Sequence, residues 1–213
     1  MIAPPGAGKG TQGVVIAEHF GIPHIATGDL LRDHVARGTE LGRSVQTCLD
    51  RGELVPDEVV LDMVRAALEA LQGDGWVLDG VPRTMEQARA LYQIALELDM
   101  TADVALHLQV DDAELVRRLL ARAVQTGRSD DTEDVIRHRL ALYYEVTHPI
   151  LQWYDERGIL VSVDANRDAG AVGRHILTAL EVLRQIVDRD DGTARKAVDL
   201  TGLGAAFGAR PSH

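Results

Sequence analysis

The stretch Pro5-Gly6-Ala7-Gly8-Lys9-Gly10-Thr11-Gln12 decides the fold. Its glycines let backbone N–H groups close around an anion, and Lys9 places a mobile ammonium beside the outer phosphates of such a ligand. A helix-forming run over 14–20 follows directly, as a phosphate cradle requires. Ala3 stands where the general cradle pattern has its first glycine, and Gly10 where it has a hydroxyl. The segment therefore reads as the triphosphate-binding loop of an α/β protein. A cradle leaves the end of a buried strand, and only Met1 and Ile2 stand ahead of it. The reading adopted is that the chain starts inside that strand. The alternative is an impaired copy that binds nucleotide without it.

Outward from the cradle, 213 residues suffice for one sizeable core with small insertions. No apolar run approaches the roughly 18 residues of a membrane span. No charged leader precedes an apolar stretch, and the lone Cys48 has no internal disulfide partner, so a soluble, cytoplasmic protein without membrane association is expected. Cys48 is expected to pack as a small apolar side chain. A net charge of −11 argues against general nucleic-acid binding, which needs basic stripes.

Strand-like segments at 23–26, 76–78, 104–110 and 158–163 alternate with helical ones, the pattern of a parallel sheet with crossover helices. Helices are expected over 10–20, 28–37, 41–51, 57–72, 85–98, 112–124, 132–156 and 169–188, with Pro149 kinking or interrupting the long one. Asp57 and Asp112 sit where N-caps belong, and Gly38 and Gly52 at cap or hinge positions. The two helices between Gly28 and Arg51 have no strand between them and read as an insertion; a shorter excursion surrounds Gly127. The expected division is a core of 1–26, 57–120 and 132–188, a helical insertion of 27–56, a short lid of 121–131, and a disordered tail of 189–213 in which Leu200, Leu203 and Phe207 dock weakly.

A second constellation is Trp76-Val77-Leu78-Asp79-Gly80-Val81-Pro82-Arg83, followed by Gln87. An apolar strand ending in Asp puts a carboxylate at the sheet's carboxyl edge, where open α/β folds bind ligands. There Asp79 can hold the water shell of Mg²⁺, which is usually shared with substrate phosphates rather than caged by protein. Gly80 lets the chain pass close to a ligand, and Pro82 stiffens the presentation of Arg83. The scattered histidines His24, His34, His138 and His148 lack metal-ligand spacing.

With these blocks in hand, the sequence resembles the adenylate kinase family of nucleoside monophosphate kinases. The resemblance covers about residues 3–187. It is carried by Gly6 to Gln12, Thr27-Gly28-Asp29-Leu30-Leu31-Arg32, Gly52-Glu53-Leu54-Val55-Pro56-Asp57, Asp79 to Arg83 with Gln87, and Gly127-Arg128-Ser129-Asp130-Asp131, in the family's order. It implies a three-layer P-loop NTPase-type α/β fold with a central parallel sheet, a helical insertion for the monophosphate and a short lid. It implies Mg²⁺-dependent phosphoryl transfer from ATP to AMP by a monomer, with another nucleoside monophosphate as the alternative acceptor.

By the same resemblance Gly6, Ala7, Gly8, Lys9, Gly10 and Thr11 hold the ATP phosphates, with Gly10 the family's own variant. Thr27, Gly28, Arg32, Glu53, Leu54, Val55, Gly80, Val81, Pro82, Arg83 and Gln87 face AMP. Arg32 and Arg83 suit a monophosphate because a guanidinium makes paired hydrogen bonds to its oxygens. Gln87 offers adenine both a donor and an acceptor. Arg122, Arg128 and Arg139 fall at the family's lid arginines, the latter two also facing AMP, and Asp130 and Asp131 pair with arginines. Arg122 is expected to stack on the ATP base, near the loop carrying Arg167. No four-ligand Cys/His set lies between Arg122 and Asp131, so no zinc is expected.

Overall fold

A computed structural model describes residues 1–72, 75–126 and 132–189. The expectations placed on Gly127, Arg128, Asp130, Asp131 and the segment 190–213, including Leu200, Leu203 and Phe207, lie outside the described residues. Among the described residues four strands form, β1 His24–Ala26, β2 Val77–Asp79, β3 Ala105–Gln109 and β4 Leu160–Asp164. They pair in parallel as β1 with β2 and β3 with β4. The segment ahead of the cradle joins the two pairs. Ile2 bridges His107 in parallel, its N–H donating to the Leu106 carbonyl at 2.8 Å and its carbonyl accepting from Leu108 N–H at 3.2 Å. On the opposite flank the Met1 amino group donates to the Leu78 carbonyl at 2.6 Å. Met1 and Ile2 thus occupy the central slot between β2 and β3, where two neighbours need backbone partners.

The helices are α1 Lys9–Phe20, α2 Thr27–Ala36, α3 Glu40–Arg51, α4 Asp57–Glu69, α5 Met85–Glu97, α6 Asp112–Thr126, α7 Glu133–Leu142, α8 Ile150–Asp155 and α9 Ala169–Arg189. The expected long helix over 132–156 is interrupted. After α7 the chain widens into a π turn, Tyr143–Thr147, with His148 N–H donating to the Tyr143 carbonyl at 2.8 Å. Pro149, which has no N–H to give, then stands at the N-cap of α8. Asp57 is the first helical residue of α4 rather than its cap, because Pro56 takes the cap position. Asp112 likewise begins α6, and the Asp111 carbonyl receives the N–H groups of Glu114 and Leu115.

Three apolar clusters hold these layers together. Ile16, Leu108, Leu115, Leu119, Ile136 and Ile176 join α1, β3, α6, α7 and α9. On the other side Ile25, Leu31, Val45, Val64, Leu78 and Ile94 bind the α2–α3 excursion to α4, β1, β2 and α5, with Cys48 half-buried against them. Ile2 anchors a third with Ala105, Tyr143, Ile150 and Tyr154. β2 is buried along its whole length, as a parallel strand covered on both faces must be. The result is a P-loop NTPase-type α/β fold. Its strand ends, the cradle and the 165–169 loop border one cleft.

Candidate active site

The cradle turns on two glycines with left-handed backbone, Gly6 at φ 87° and Gly8 at φ 94°. A Cβ on Gly6 would lie 2.9 Å from Leu119 Cγ and 3.0 Å from the Leu115 carbonyl, so only glycine lets the loop press against α6. Gly8 is the N-cap of α1, and the helix points its first N–H groups at the cleft. Lys9 Nζ donates to the carbonyls of Ala3 at 2.7 Å and Pro4 at 3.3 Å, curling over its own loop. Burial pushes its ammonium down to about 8; Arg83, Arg139 and Arg122 act in the same sense and Asp79 against them.

Asp79 ends β2 with its side chain only 11% exposed. Burial pushes its carboxyl up, but His24, Lys9 and the chain's amino group outweigh that and hold it below the ordinary carboxylate value. His24 Nε2 stands 3.8 Å from Asp79 Oδ2, beyond hydrogen-bond length, so its pull is electrostatic. An ionised carboxylate beside the cradle suits a cation shared with phosphate and water. Among the described residues no group of three or more His, Cys, Asp or Glu side chains gathers elsewhere as a metal cage.

On the acceptor side, β1 ends at Ala26 and the α2 that follows it delivers Thr27, Gly28 and Arg32. The Thr27 hydroxyl donates to the Asp79 carbonyl at 3.1 Å. A Cβ on Gly80 would lie 2.6 Å from that hydroxyl, which explains the glycine. Arg32 reaches Asp29 at 2.5 Å and lines the cleft with Gly28 and Gly80. Arg83 is half-buried, its Nε donating to the Gly80 carbonyl at 2.8 Å and its carbonyl accepting from the Thr147 hydroxyl at 2.8 Å. The Val81–Pro82 bond is cis, and both residues are buried.

Gln87 is 1% exposed, and each end of its amide has a protein partner. Its Oε1 accepts from Arg83 N–H at 2.7 Å, and its Nε2 donates to Asp57 Oδ1 at 2.7 Å. Each amide atom retains one further bonding position. Glu53, Leu54 and Val55 sit at the end of the α2–α3 excursion and do not border the cleft; Val55 is in the core.

The cleft holds about 620 Å³ and gathers Gly6 to Thr11, Gly28, Arg32, Asp79, Gly80, Arg122, Arg139 and Arg167. Arg139 reaches it from α7 by crossing the end of α3, where a Cβ on Gly52 would lie 2.6 Å from Arg139 Cγ. Sequence reasoning named Gln12 only as part of the cradle and missed the walls Glu114 and Arg118. Gln12, 2% exposed, donates to the Ala169 carbonyl at 2.9 Å and ties α1 to α9. Glu114 pairs with Arg117 and Arg118, which hold its carboxyl down to about 2. Arg118 also donates to the carbonyls of Ala165 at 3.0 Å and Arg167 at 3.3 Å. The available signal was spacing: Glu114, Arg118 and Arg122 recur every four residues on one helix face.

A triphosphate cradle, a carboxylate at the strand edge, and arginines from both flanks meeting in one cavity define a P-loop phosphotransferase. A family model described as adenylate kinase matches residues 1–159. An adenylate kinase of Kocuria rhizophila is 49% identical over 183 residues, spanning 85% of this chain and 97% of the relative. One of Synechococcus sp. strain CC9902 is 44% identical over 181 residues, with the same coverage of 85% and 97%. One of Thermobifida fusca is 45% identical over 182 residues, covering 85% and 96%. The chain belongs to the adenylate kinase family. Its activity is that of a nucleoside monophosphate kinase.

Proposed function

We propose that the chain moves the terminal phosphoryl group of ATP onto AMP, giving two molecules of ADP. The observation that carries this reading is the shared cleft: cradle residues, Gly28 and Arg32 of the acceptor side, and the cationic groups of Arg122 and Arg139 line one cavity of about 620 Å³. A phosphate oxygen of AMP attacks the γ-phosphorus. The bond from that phosphorus to the bridging oxygen breaks, and the departing ADP keeps the electron pair. Such a transfer needs positioning and charge compensation more than covalent help.

Gly6, Ala7, Gly8, Gly10 and Thr11 seat the ATP phosphates, and Lys9 follows the transferring group. Arg122, Arg128 and Arg139 compensate its charge, with Asp130 and Asp131 pairing with arginines. Arg32 and Arg83 grip the AMP phosphate. Gln87 reads adenine with its remaining donor and acceptor, while Thr27, Glu53, Leu54, Val55, Gly80, Val81 and Pro82 shape the acceptor seat. Residues 27–56 are the acceptor insertion and 121–131 the lid. Because Arg118 is bonded to the 165–167 loop and Arg122 influences Lys9, stacking on the ATP base is assigned to Arg118 and phosphate contact to Arg122. Asp79 would hold the water shell of the Mg²⁺ carried with ATP, an ion that would supply charge neutralisation to the phosphates.

Among the described residues no helix is long and apolar enough to cross a membrane. The chain is read as a cytoplasmic monomer acting on free nucleotides. Purified full-length protein given ATP, AMP and Mg²⁺ should form two ADP per AMP consumed, and should favour AMP over CMP, UMP and GMP. No ADP from ATP and AMP would overturn the reading.

A further inference from the structure

We propose that His24 is a positioning residue for the Asp79 carboxylate: its imidazole, seated in a notch left by Gly13, anchors Oδ2 and leaves the other oxygen for the water shell of the metal carried with ATP. The inference rests on the assignment of Asp79 above. Three observations converge on it. His24 Nε2 is buried, has no hydrogen-bond partner among the described residues, and faces Asp79 Oδ2 at 3.8 Å. The opposite wall of its seat is α1, where a Cβ on Gly13 would lie 2.4 Å from His24 Nε2 and 2.8 Å from its Cε1. A side chain at that helical position would evict the ring. Finally, β1 and β2 are hydrogen-bonded neighbours whose register pairs His24 with Val77 and Ala26 with Asp79, so both groups ride on the sheet rather than on a mobile loop.

A buried imidazole nitrogen without a partner is destabilising, and a closure of about 1 Å converts the contact into a hydrogen bond. Of the other groups acting on Asp79, Lys9 sits on a flexible stem and has the phosphates to follow, and the Met1 amino group donates to the Leu78 carbonyl at 2.6 Å. His24 remains as the fixed neighbour. With Nε2 carrying the proton, it donates to Oδ2 and restricts rotation of the carboxylate. A partner behind the residue that meets the metal's waters orients it in the way outer-shell groups orient metal ligands.

The test measures ATP affinity of the full chain calorimetrically, in EDTA and in excess Mg²⁺, with Mn²⁺ binding in the presence of ATP followed by EPR. His24→Leu should cut the metal-dependent gain in ATP affinity and the Mn²⁺ affinity about tenfold, leaving affinity in EDTA unchanged. His24→Gln, which keeps a donor, should restore most of the gain, and Gly13→Ala should resemble His24→Leu. A His24→Leu protein with wild-type metal dependence overturns the proposal, as does one whose ATP binding weakens equally with and without metal. Asp79→Asn separates the two layers. If it keeps the full metal-dependent gain, the role of Asp79 fails and that of His24 with it. If it loses the gain while His24→Leu does not, only the His24 inference fails.

Discussion

Replacing Asp57 with Ala should weaken the fold far more than its place at the start of a helix, half-buried, suggests. Its Oδ1 accepts from Gln87 Nε2 at 2.7 Å and its Oδ2 from the Thr84 hydroxyl at 2.8 Å. That hydroxyl in turn accepts the Gln87 N–H at 3.0 Å, capping α5. Asp57 is thus the knot between the first turns of α4 and α5. Each charge-assisted bond contributes about 1.5–3 kcal/mol, and the Gln87 amide hydrogen left behind, on a residue 1% exposed, loses its charged partner. Loss of a carboxylate at the α4 N-terminus adds about 0.3–1 kcal/mol. Since Thr84 can re-pair with solvent, we expect a net loss of about 3 kcal/mol. In urea unfolding this moves the midpoint down by about 1–1.5 M at an m-value near the top of the usual range.

Asp57→Asn, which retains one acceptor, should lose about half as much. In a double-mutant cycle with Gln87→Leu the two changes should couple by more than about 1 kcal/mol. An Asp57→Ala protein within about 0.5 kcal/mol of wild type, or additive losses in the cycle, would refute the argument.

Acid should destabilise the chain through His107. Burial holds this ring at about 4, with His148 and Lys9 acting in the same direction, and it pairs with the Tyr143 hydroxyl and Ser162 Oγ at 3.3 Å each. An unfolded histidine takes up its proton near 6.5, so stability is complete above that pH and falls between 6.5 and about 4, by up to about 3 kcal/mol. His107→Asn should flatten that dependence in urea titrations at pH 7, 6 and 5; an unchanged slope would contradict it. Arg118→Ala should raise KM for ATP about tenfold, the equivalent of one charge-assisted hydrogen bond, and leave KM for AMP unchanged, as initial rates will tell. With Lys9 at about 8 in the free protein, kcat/KM for ATP should decline as pH rises through that value, and residual activity of Lys9→Arg should lack this limb. Gly6→Ala should both destabilise the chain and weaken ATP binding, since its Cβ would lie 2.9 Å from Leu119 Cγ.

Much of this protein was legible in one dimension because its chemistry is local in sequence. The cradle, the strand ending in Asp79 and the alternation of short apolar runs with helical periodicity are each contained within about ten residues, where spacing and backbone demand decide the outcome. The four strands and most helix bounds follow from them. In the run 132–156 the interruption at Pro149 was legible, but the π turn at Tyr143–Thr147 was not, because the helical pattern continues through it.

What only the tertiary structure decided are the contacts between segments distant along the chain. That Met1 and Ile2 fill the central slot of the sheet depends on β2 and β3 lying on either side of them. That Gly13 is small for the sake of His24, Gly6 for Leu119 and Gly52 for Arg139 is invisible in a sequence, because steric exclusion acts between neighbours in space. Arg118 and Gln87 belong to the same class: type and helical position were readable, but which carbonyl or carboxylate holds each side chain was not. Hydrogen bonds reach about 3 Å, and chain folding alone determines which groups come within that reach.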